Sequence, residues 1–211
     1  MGWPIKRVDL GEVGYHQALA DMNVWVEERQ QGLAEDRLFL LSHPPIVTYG
    51  PRTKPEDLPT ELPAVQVDRG GYATYHGPGQ LVGYLVVDVK ARGPVDIVRW
   101  LENGLVDALA SLGFPAVRRD TPKGASSLAG VWTPDHRKVA SIGMRIRRGV
   151  TSHGFALNVD PDMTAFHRFT VCGLADVTMV SLADLAAEQR RGTPADAEVR
   201  DAIFASLTAG S

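Results

Sequence analysis

The chain has 211 residues with a formal net charge of −3, a hydrophobic fraction of 44% and a charged fraction of 22%, which are the proportions of an ordinary globular protein with its own core. The nearly balanced charge gives no reason to expect nucleic acid as a partner, and no apolar run approaches the ~20 residues that cross a bilayer. We therefore expect one domain over residues 1–211, with neither a nucleic-acid nor a membrane partner.

The first half of the chain predicts one helix and several strands. The helix runs from about Val13 to Gln31, with Gly32 as its stop and a shared face formed by Tyr15, Leu19, Met22 and Val26. A proline-rich loop is expected over residues 51–64. Strands are predicted at Arg37 to Ser42, Ile46 to Tyr49, Val65 to Asp68, Tyr72 to His76 and Leu81 to Val89. The last strand is almost wholly apolar, so we expect it to be buried on both faces.

The second half of the chain predicts a helix and three strands, followed by further helices. A helix is predicted from Val95 to Leu112, followed by strands at Leu128 to Thr133, Lys138 to Ile146, and Thr151 to Val159. Helix starts are predicted at Ser181 with Asp184, and at Thr193-Pro194 with Asp196. The expected fold class is α/β in the broad sense (α+β), with a mixed, largely antiparallel sheet and flanking helices.

The densest motif runs from Arg69 to Gln80 and reads Arg-Gly-Gly-Tyr-Ala-Thr-Tyr-His-Gly-Pro-Gly-Gln. Its four glycines let the backbone approach a ligand closely and expose N–H groups, and Arg69 and His76 add polar side chains. A glycine-rich hairpin that only turns the chain is the alternative. The string is neither a P-loop nor a dinucleotide fingerprint, because Gly-Lys-Ser/Thr and the order Gly-x-Gly-x-x-Gly are both absent.

Two glycines interrupt consecutive predicted strands, Gly143 after Ile142 and Gly154 after His153. Glycine inside a strand indicates either a close backbone approach or a bulge. If the two strands pair as a hairpin, both glycines could open a trough beside Lys138. Two ordinary bulges are the alternative.

Lys138 and Cys172 are the candidate chemical groups. The chain has five lysines against seventeen arginines, and Lys138 is the only lysine after residue 123. Lysine can act as a base, whereas arginine cannot be deprotonated in a protein, but a solvated strand lysine is the common case. Cys172 is the only cysteine, so it is either a small buried side chain or a nucleophile, with Lys138, His76 or His153 as its possible partner.

Other features are weaker. The spacing of His76, His153 and His167 does not match a zinc site, so no metal is expected. Arg145 and Arg147 point the same way on a strand, which indicates a solvated face or a landing patch for an acidic protein. A single cysteine and an N-terminus without a secretory signal favour a cytoplasmic setting.

These motifs together resemble those of the lipoyl(octanoyl) transferases, which are protein N-octanoyltransferases. The family pattern Arg-Gly-Gly-x-x-Thr-Tyr/Trp-His-Gly-Pro-Gly-Gln is matched by Arg69 to Gln80, and Arg-Lys-(Ile/Val)-Ala-x-Ile-Gly by Arg137 to Gly143. The pattern His-Gly-x-Ala-Leu-Asn is matched by His153 to Asn158. Pro-Cys-Gly becomes Val171-Cys172-Gly173, so valine supplies an N–H that proline lacks and leaves the backbone less fixed.

The resemblance implies a fold like that of the biotin and lipoate protein ligases and a Cys172/Lys138 dyad in which the cysteine carries the octanoyl group as a thioester. It implies octanoyl-acyl carrier protein as donor, and as acceptors the lipoyl domains of 2-oxoacid dehydrogenase complexes and the glycine cleavage H protein. It implies no cofactor, neither ATP nor a metal. The substrate-binding residues that carry over are Arg69, Gly70, Gly71, Tyr72, Ala73, Thr74, Tyr75, His76, Ser141, Ile142, Gly143, Gly154, Phe155 and Ala156.

Three other functions stay open on sequence alone. An ATP-dependent lipoate or biotin ligase would share the implied fold and would not need an acylated cysteine. A non-catalytic acyl- or protein-binding module would keep Cys172 as core filling. A cysteine–histidine thioesterase would release free octanoate.

Overall fold

The larger of two β-sheets forms the centre of the molecule. The structure, a computed structural model, describes residues 3–89, 92–122, 127–169 and 177–209. Within these ranges the larger sheet has seven strands in the order β1-β2-β6-β10-β9-β8-β7, and the smaller sheet has three in the order β4-β3-β5. The strands are β1 (Lys6–Glu12), β2 (Arg37–Ser42), β3 (Ile46–Tyr49), β4 (Ala64–Gln66), β5 (Thr74–His76), β6 (Gln80–Val86), β7 (Val117–Arg118), β8 (Gly130–Trp132), β9 (Lys138–Arg147) and β10 (Val150–Asn158).

The pairing within both sheets is mostly antiparallel. In the larger sheet only β1 with β2 is parallel among the described strand pairs, and in the smaller sheet only β3 with β4. The helices are α1 (Tyr15–Gln30), α2 (Pro94–Ser111), α3 (Leu182–Glu188) and α4 (Asp196–Thr208), with short 3-10 helices at Pro55–Asp57 and Met163–His167. The predicted class, a mixed and largely antiparallel sheet with flanking helices, is confirmed.

The larger sheet is buried on both faces because alternate side chains of its central strands enter different cores. On β6, Leu81 and Leu85 join a core that includes α2 and α4. Val82 and Tyr84 on the same strand join a second core that includes Ala18 and Met22 of α1. All seven residues of β6 are buried, as the apolar run predicts.

The helix ends follow local capping chemistry. The Ser181 side chain accepts the Asp184 N–H, and the Asp184 carboxylate accepts the Ser181 N–H at 2.9 Å, which confirms the predicted start of α3. The last helix starts slightly later than predicted, because the Glu198 carboxylate accepts the N–H of Ala195 at 2.8 Å. Pro94 occupies the first turn of α2, where its missing N–H costs nothing.

Strand β1 and the short strand β7 were not predicted. β1 lies at the edge of the sheet and contains only exposed and half-buried residues, so its sequence lacks a long apolar run. Among the described helices none is long and apolar enough to cross a membrane. Cys172, Val171 and Gly173 lie outside the described residues.

Candidate functional site

A cavity of about 230 Å³ lies where β5, β6, β9 and β10 meet the glycine-rich segment before β5. Its apolar wall includes Val82 and Ala156 from one face of the larger sheet and Phe155 from the other. Thirteen of the predicted site residues line it, namely Arg69, Gly70, Gly71, Tyr72, Thr74, His76, Lys138, Ser141, Ile142, Gly143, Gly154, Phe155 and Ala156. Segments that are far apart in the sequence therefore converge on one site.

Two predicted substrate-binding residues do not line this cavity. Ala73 and Tyr75 instead belong to a small hydrophobic cluster, in which the Tyr75 ring meets Phe166 edge to face with centroids 5.5 Å apart. The alternation of side chains along β5 explains this, because Thr74 and His76 point to the opposite side of the strand. Ala73 and Tyr75 thus pack behind the segment, and their contact with substrate stays a prediction.

The glycines of β9 and β10 allow close backbone approach, as one of the two interpretations predicted. Gly143 and Gly154 are direct register partners in continuous pairing, with no bulge between them. A Cβ on Gly154 would lie 2.2 Å from the carbonyl oxygen of Gly83 in β6, and one on Gly143 would lie 2.9 Å from that of Gly70. Side chains at these positions would therefore push the neighbouring backbone away and close the trough.

Arg69 organises the glycine-rich segment. Its guanidinium donates to the backbone carbonyls of Gly70, Tyr72 and Thr48, and to the Thr48 hydroxyl at 2.9 Å. The N–H of Gly70 donates to the Met144 carbonyl at 3.2 Å, so this N–H is already used within the protein and is not exposed to a ligand. The Arg69 side chain therefore shapes the wall of the site.

A chain of buried hydrogen bonds continues from Thr48 into the sheet. His76 Nδ1 lies 2.8 Å from Gln80 Oε1, which can only accept, because the Gln80 amide nitrogen donates to Asn158 Oδ1 at 2.9 Å. His76 therefore carries its proton on Nδ1, and Nε2 accepts from the Thr48 hydroxyl at 3.1 Å. Asn158 in turn donates to the Val180 carbonyl at 3.2 Å. Both nitrogens of His76 are thus occupied, which disfavours it as a base for Cys172.

A second set of polar side chains near the cavity carries no motif in the sequence. His43 Nδ1 donates to the Val13 carbonyl at 2.7 Å, so its Nε2 accepts from the Tyr84 hydroxyl at 2.8 Å. Tyr84 also hydrogen-bonds Tyr15, and burial raises the pKa of Tyr15 to about 12. Tyr15 and Tyr84 line the cavity together with Val98 of α2. In the sequence, Tyr15 lies on the apolar face of the predicted first helix and Tyr84 lies in a strand predicted to be buried, which indicates core packing for both.

Burial lowers the pKa of both His76 and His153 to about 3, with nearby Arg69 adding repulsion in each case. Between pH 6.5 and 3 the unfolded chain binds protons at these sites while the folded chain does not, so stability falls as the pH falls. At pH 5 the penalty is about 2 kcal/mol for each histidine. Urea unfolding at pH 7 and pH 5 should show a weaker pH dependence in His76→Gln than in wild type. If replacing the exposed His16 by glutamine weakened the pH dependence of stability by the same amount, this assignment would be contradicted.

Lys138 is 2% exposed, so the interpretation as a solvated strand lysine is wrong. Its ammonium lies 5.0 Å from the ring centre of buried Trp132, a favourable cation–π distance. Its backbone N–H donates to the Thr178 carbonyl at 2.8 Å, and its carbonyl accepts from Val180 at 3.0 Å. The segment that follows Cys172 in the sequence is therefore bonded directly to the first residue of β9.

Thr74 offers a group that a ligand can use. Its hydroxyl oxygen is buried and has no hydrogen-bond partner among the residues that the structure describes. Thr74 also lines the cavity. Because an unpaired buried hydroxyl costs free energy, a bound molecule whose polar atom reached the Thr74 oxygen would restore a hydrogen bond there.

The arginines near the end of β9 have acidic as well as basic side chains around them. Arg145 forms an ion pair with Asp68, and the Arg147 carbonyl accepts from Gln30 at 2.7 Å. Arg145, Arg147 and Arg148 are exposed and line a groove that also contains Glu27 and Asp68. The patch is thus less purely basic than the sequence implied, and docking of an acidic partner there stays a prediction. No group of three or more histidine, aspartate or glutamate side chains suited to a metal occurs in the described ranges.

Comparison with known proteins places the chain among relatives of high similarity. It is 48% identical to an octanoyltransferase of Frankia casuarinae over 188 residues, covering 87% of this chain and 85% of the relative. It is 44% identical to an octanoyltransferase of Rhodococcus opacus over 187 residues, covering 85% and 71%, and 45% identical to one of Pseudomonas entomophila over 183 residues, covering 84% and 81%.

Solved structures with a similar fold are much more distant in sequence. A putative lipoate protein ligase of T. acidophilum with bound lipoic acid has a TM-score of 0.72 at 15% identity, covering 98% of this chain and 85% of that one. A biotin protein ligase of Aquifex aeolicus has a TM-score of 0.60 at 12% identity, covering 96% and 68%. The ligase-like fold is thereby confirmed. The family model described as the lipoyl protein ligase A/B catalytic domain matches residues 14–208, and the chain belongs to that family.

Proposed function

We propose that this protein is an octanoyltransferase that moves an octanoyl group from acyl carrier protein to a lysine amine on a lipoyl domain, through a thioester on Cys172. Its octanoyltransferase relatives support the reaction class. The observation that supports the proposed Cys172/Lys138 dyad is the burial of Lys138 in the wall of a largely apolar cavity. Thr178, which accepts from the Lys138 N–H, lies six residues after Cys172 in the sequence.

In the first half-reaction the Cys172 thiolate attacks the thioester carbonyl of the donor. The carbon–sulfur bond to acyl carrier protein breaks, and the departing thiolate takes a proton from the Lys138 ammonium. One thioester replaces another, so this step is nearly neutral in free energy. It leaves octanoyl-Cys172 beside a neutral Lys138.

In the second half-reaction the acceptor amine attacks the thioester on Cys172. The amine must lose a proton as the amide forms, and neutral Lys138 takes it. The carbon–sulfur bond breaks, and the thiolate and ammonium of the resting enzyme are restored. An amide is more stable than a thioester, so the reaction runs forward without ATP, metal or any other cofactor.

The cavity suits an acyl chain with one polar end. Each methylene removed from water contributes about 0.8 kcal/mol, and Val82, Phe155 and Ala156 supply apolar walls. In this proposal the Thr74 hydroxyl, which has no partner among the described residues, donates to the acyl carbonyl oxygen. Such a donor strengthens as negative charge develops on that oxygen. The N–H groups of Gly71 and of Cys172-Gly173 remain further candidates for this role.

The test is intact-protein mass spectrometry after incubation with octanoyl-acyl carrier protein. We expect one octanoyl mass on the wild-type chain, located on Cys172 by peptide mapping and absent from Cys172→Ser. Adding a lipoyl domain should discharge the adduct and produce an octanoylated domain. Release of free octanoate alone would identify a thioesterase. Turnover that needs ATP and survives Cys172→Ala would identify a ligase instead.

The same proposal places the protein in the cytoplasm, where acyl carrier protein and the 2-oxoacid dehydrogenase complexes and glycine cleavage H protein would meet it. The exposed arginines Arg145, Arg147 and Arg148 provide cations for an acidic carrier protein. Such steering acts mainly on association rate and weakens with salt.

A further inference from the structure

Glu102 is a buried side chain that the two proposed half-reactions do not use, and it interacts electrostatically with Lys138. The Glu102 side chain on α2 is 5% exposed. One carboxylate oxygen accepts the Gly130 N–H at 3.0 Å, and the other lies 4.0 Å from the Arg118 guanidinium. A buried carboxylate is costly unless its charge is compensated, so its place in the core requires an explanation.

Gly130 connects this carboxylate to the lysine. Its φ of +145° is one that L side chains rarely adopt, and a Cβ there would lie 2.7 Å from Cε and 3.3 Å from Nζ of Lys138. The end of the lysine side chain therefore passes directly over the residue whose N–H Glu102 holds. Burial raises the pKa of Glu102, while the Gly130 N–H, Arg118 and the charge of Lys138 lower it.

The other charges around this pair are few among the described residues. Arg118 on β7 and Asp120 just after it interact with Glu102. Arg119 lies 4.8 Å from the Trp132 ring centre, and the same ring lies 5.0 Å from Lys138 Nζ. Two cations therefore already surround the tryptophan, and Glu102 brings negative charge to the lysine from the core side.

We propose that Glu102 is a positioning residue that holds the proton on Lys138 and, through Gly130, fixes where its ammonium lies. This inference rests on the proposed function, in which Lys138 must be charged before the first half-reaction and must recover a proton in the second. A nearby carboxylate favours the charged lysine in both. In this role Glu102 acts only through Lys138.

Glu102→Gln separates charge from structure. The glutamine oxygen can still accept the Gly130 N–H, but the negative charge is gone. We expect the titration midpoint of the Lys138 side-chain nitrogen, followed by ¹⁵N NMR and assigned with Lys138→Arg, to move to lower pH by about one unit. The pH profile of octanoyl transfer should move in the same direction by a similar amount.

Two further variants sharpen the test. Arg118→Gln removes a competing cation and should move the Lys138 midpoint to higher pH, opposite to Glu102→Gln. Asp107→Asn removes one charge from an exposed position on the same helix and should leave the midpoint unchanged.

An unchanged Lys138 midpoint in Glu102→Gln would overturn the inference, as would a loss of activity that is equal at every pH. The NMR titration needs no turnover, so it decides the role of Glu102 even if the wild-type enzyme forms no octanoyl-Cys172. The missing adduct would instead count against the proposed function.

Discussion

Lys138→Arg should block amide formation while leaving acylation of Cys172 measurable. Arginine keeps the positive charge that stabilises a thiolate but cannot give up its proton to act as a base. We expect octanoylation of the lipoyl domain to fall about 10²- to 10⁴-fold, the usual contribution of general acid–base catalysis. Single-turnover mass spectrometry, with octanoyl-enzyme and octanoyl-lipoyl domain quantified in the same samples, separates the two steps.

Lys138→Met is the matched variant, because it removes the charge as well as the base. It should reduce both acylation and transfer. Thermal unfolding serves as the control for both variants, since a change of 1 kcal/mol shifts the melting temperature by roughly 2–4 °C in a chain of this size. Octanoyl transfer that stays near wild type in Lys138→Arg but falls in Lys138→Met would contradict the role as a base, because it would show that the lysine supplies only its charge.

Gly154→Ala should strongly destabilise the fold. The added Cβ would lie 2.2 Å from the Gly83 carbonyl oxygen of the neighbouring strand, and both atoms are held in paired backbone. Overpacking of this kind costs about 1–3 kcal/mol and sometimes more. We expect the free energy of unfolding in urea to fall by about 3 kcal/mol, with a matching loss of octanoyl transfer.

Gly11→Ala is the control for that substitution. Gly11 also lies in a strand of the larger sheet, but a Cβ there would meet nothing within 4 Å. Its unfolding free energy should change by no more than about 0.5 kcal/mol. Similar losses in Gly154→Ala and Gly11→Ala would mean that strand glycines act through backbone freedom rather than through crowding.

Much of the fold was predictable because its central elements carry strong periodic signals. The predicted bounds of β6, from its apolar run, and those of α2 lie within about three residues of the bounds observed. β1 was missed because an edge strand with exposed side chains has no such pattern. The smaller sheet was predicted only as separate strands, since pairing between β3, β4 and β5 is set by tertiary contacts.

The site was predictable where backbone geometry limits the residue type. Gly143 and Gly154 could be singled out because glycine inside a strand needs a reason, and both prove to be crowded by neighbouring backbone. His43 and Glu102 could not be found this way. Each takes its role from hydrogen bonds to distant residues, Val13 and Tyr84 for the histidine and Gly130 for the glutamate. In the sequence Glu102 reads as one more polar residue beside a helical stripe.

A series of hydrogen bonds leads from Arg69 to Val180 and passes through Thr48, His76, Gln80 and Asn158. The Val180 N–H in turn donates to the backbone carbonyl of Lys138. A substitution at Arg69 can therefore shift the position of Lys138 even if Arg69 does not contact the acyl group. Loss of turnover in an Arg69 or His76 variant is consequently poor evidence for substrate contact. The position of the Lys138 side chain therefore has to be measured in each such variant before the substituted residue is assigned to substrate recognition.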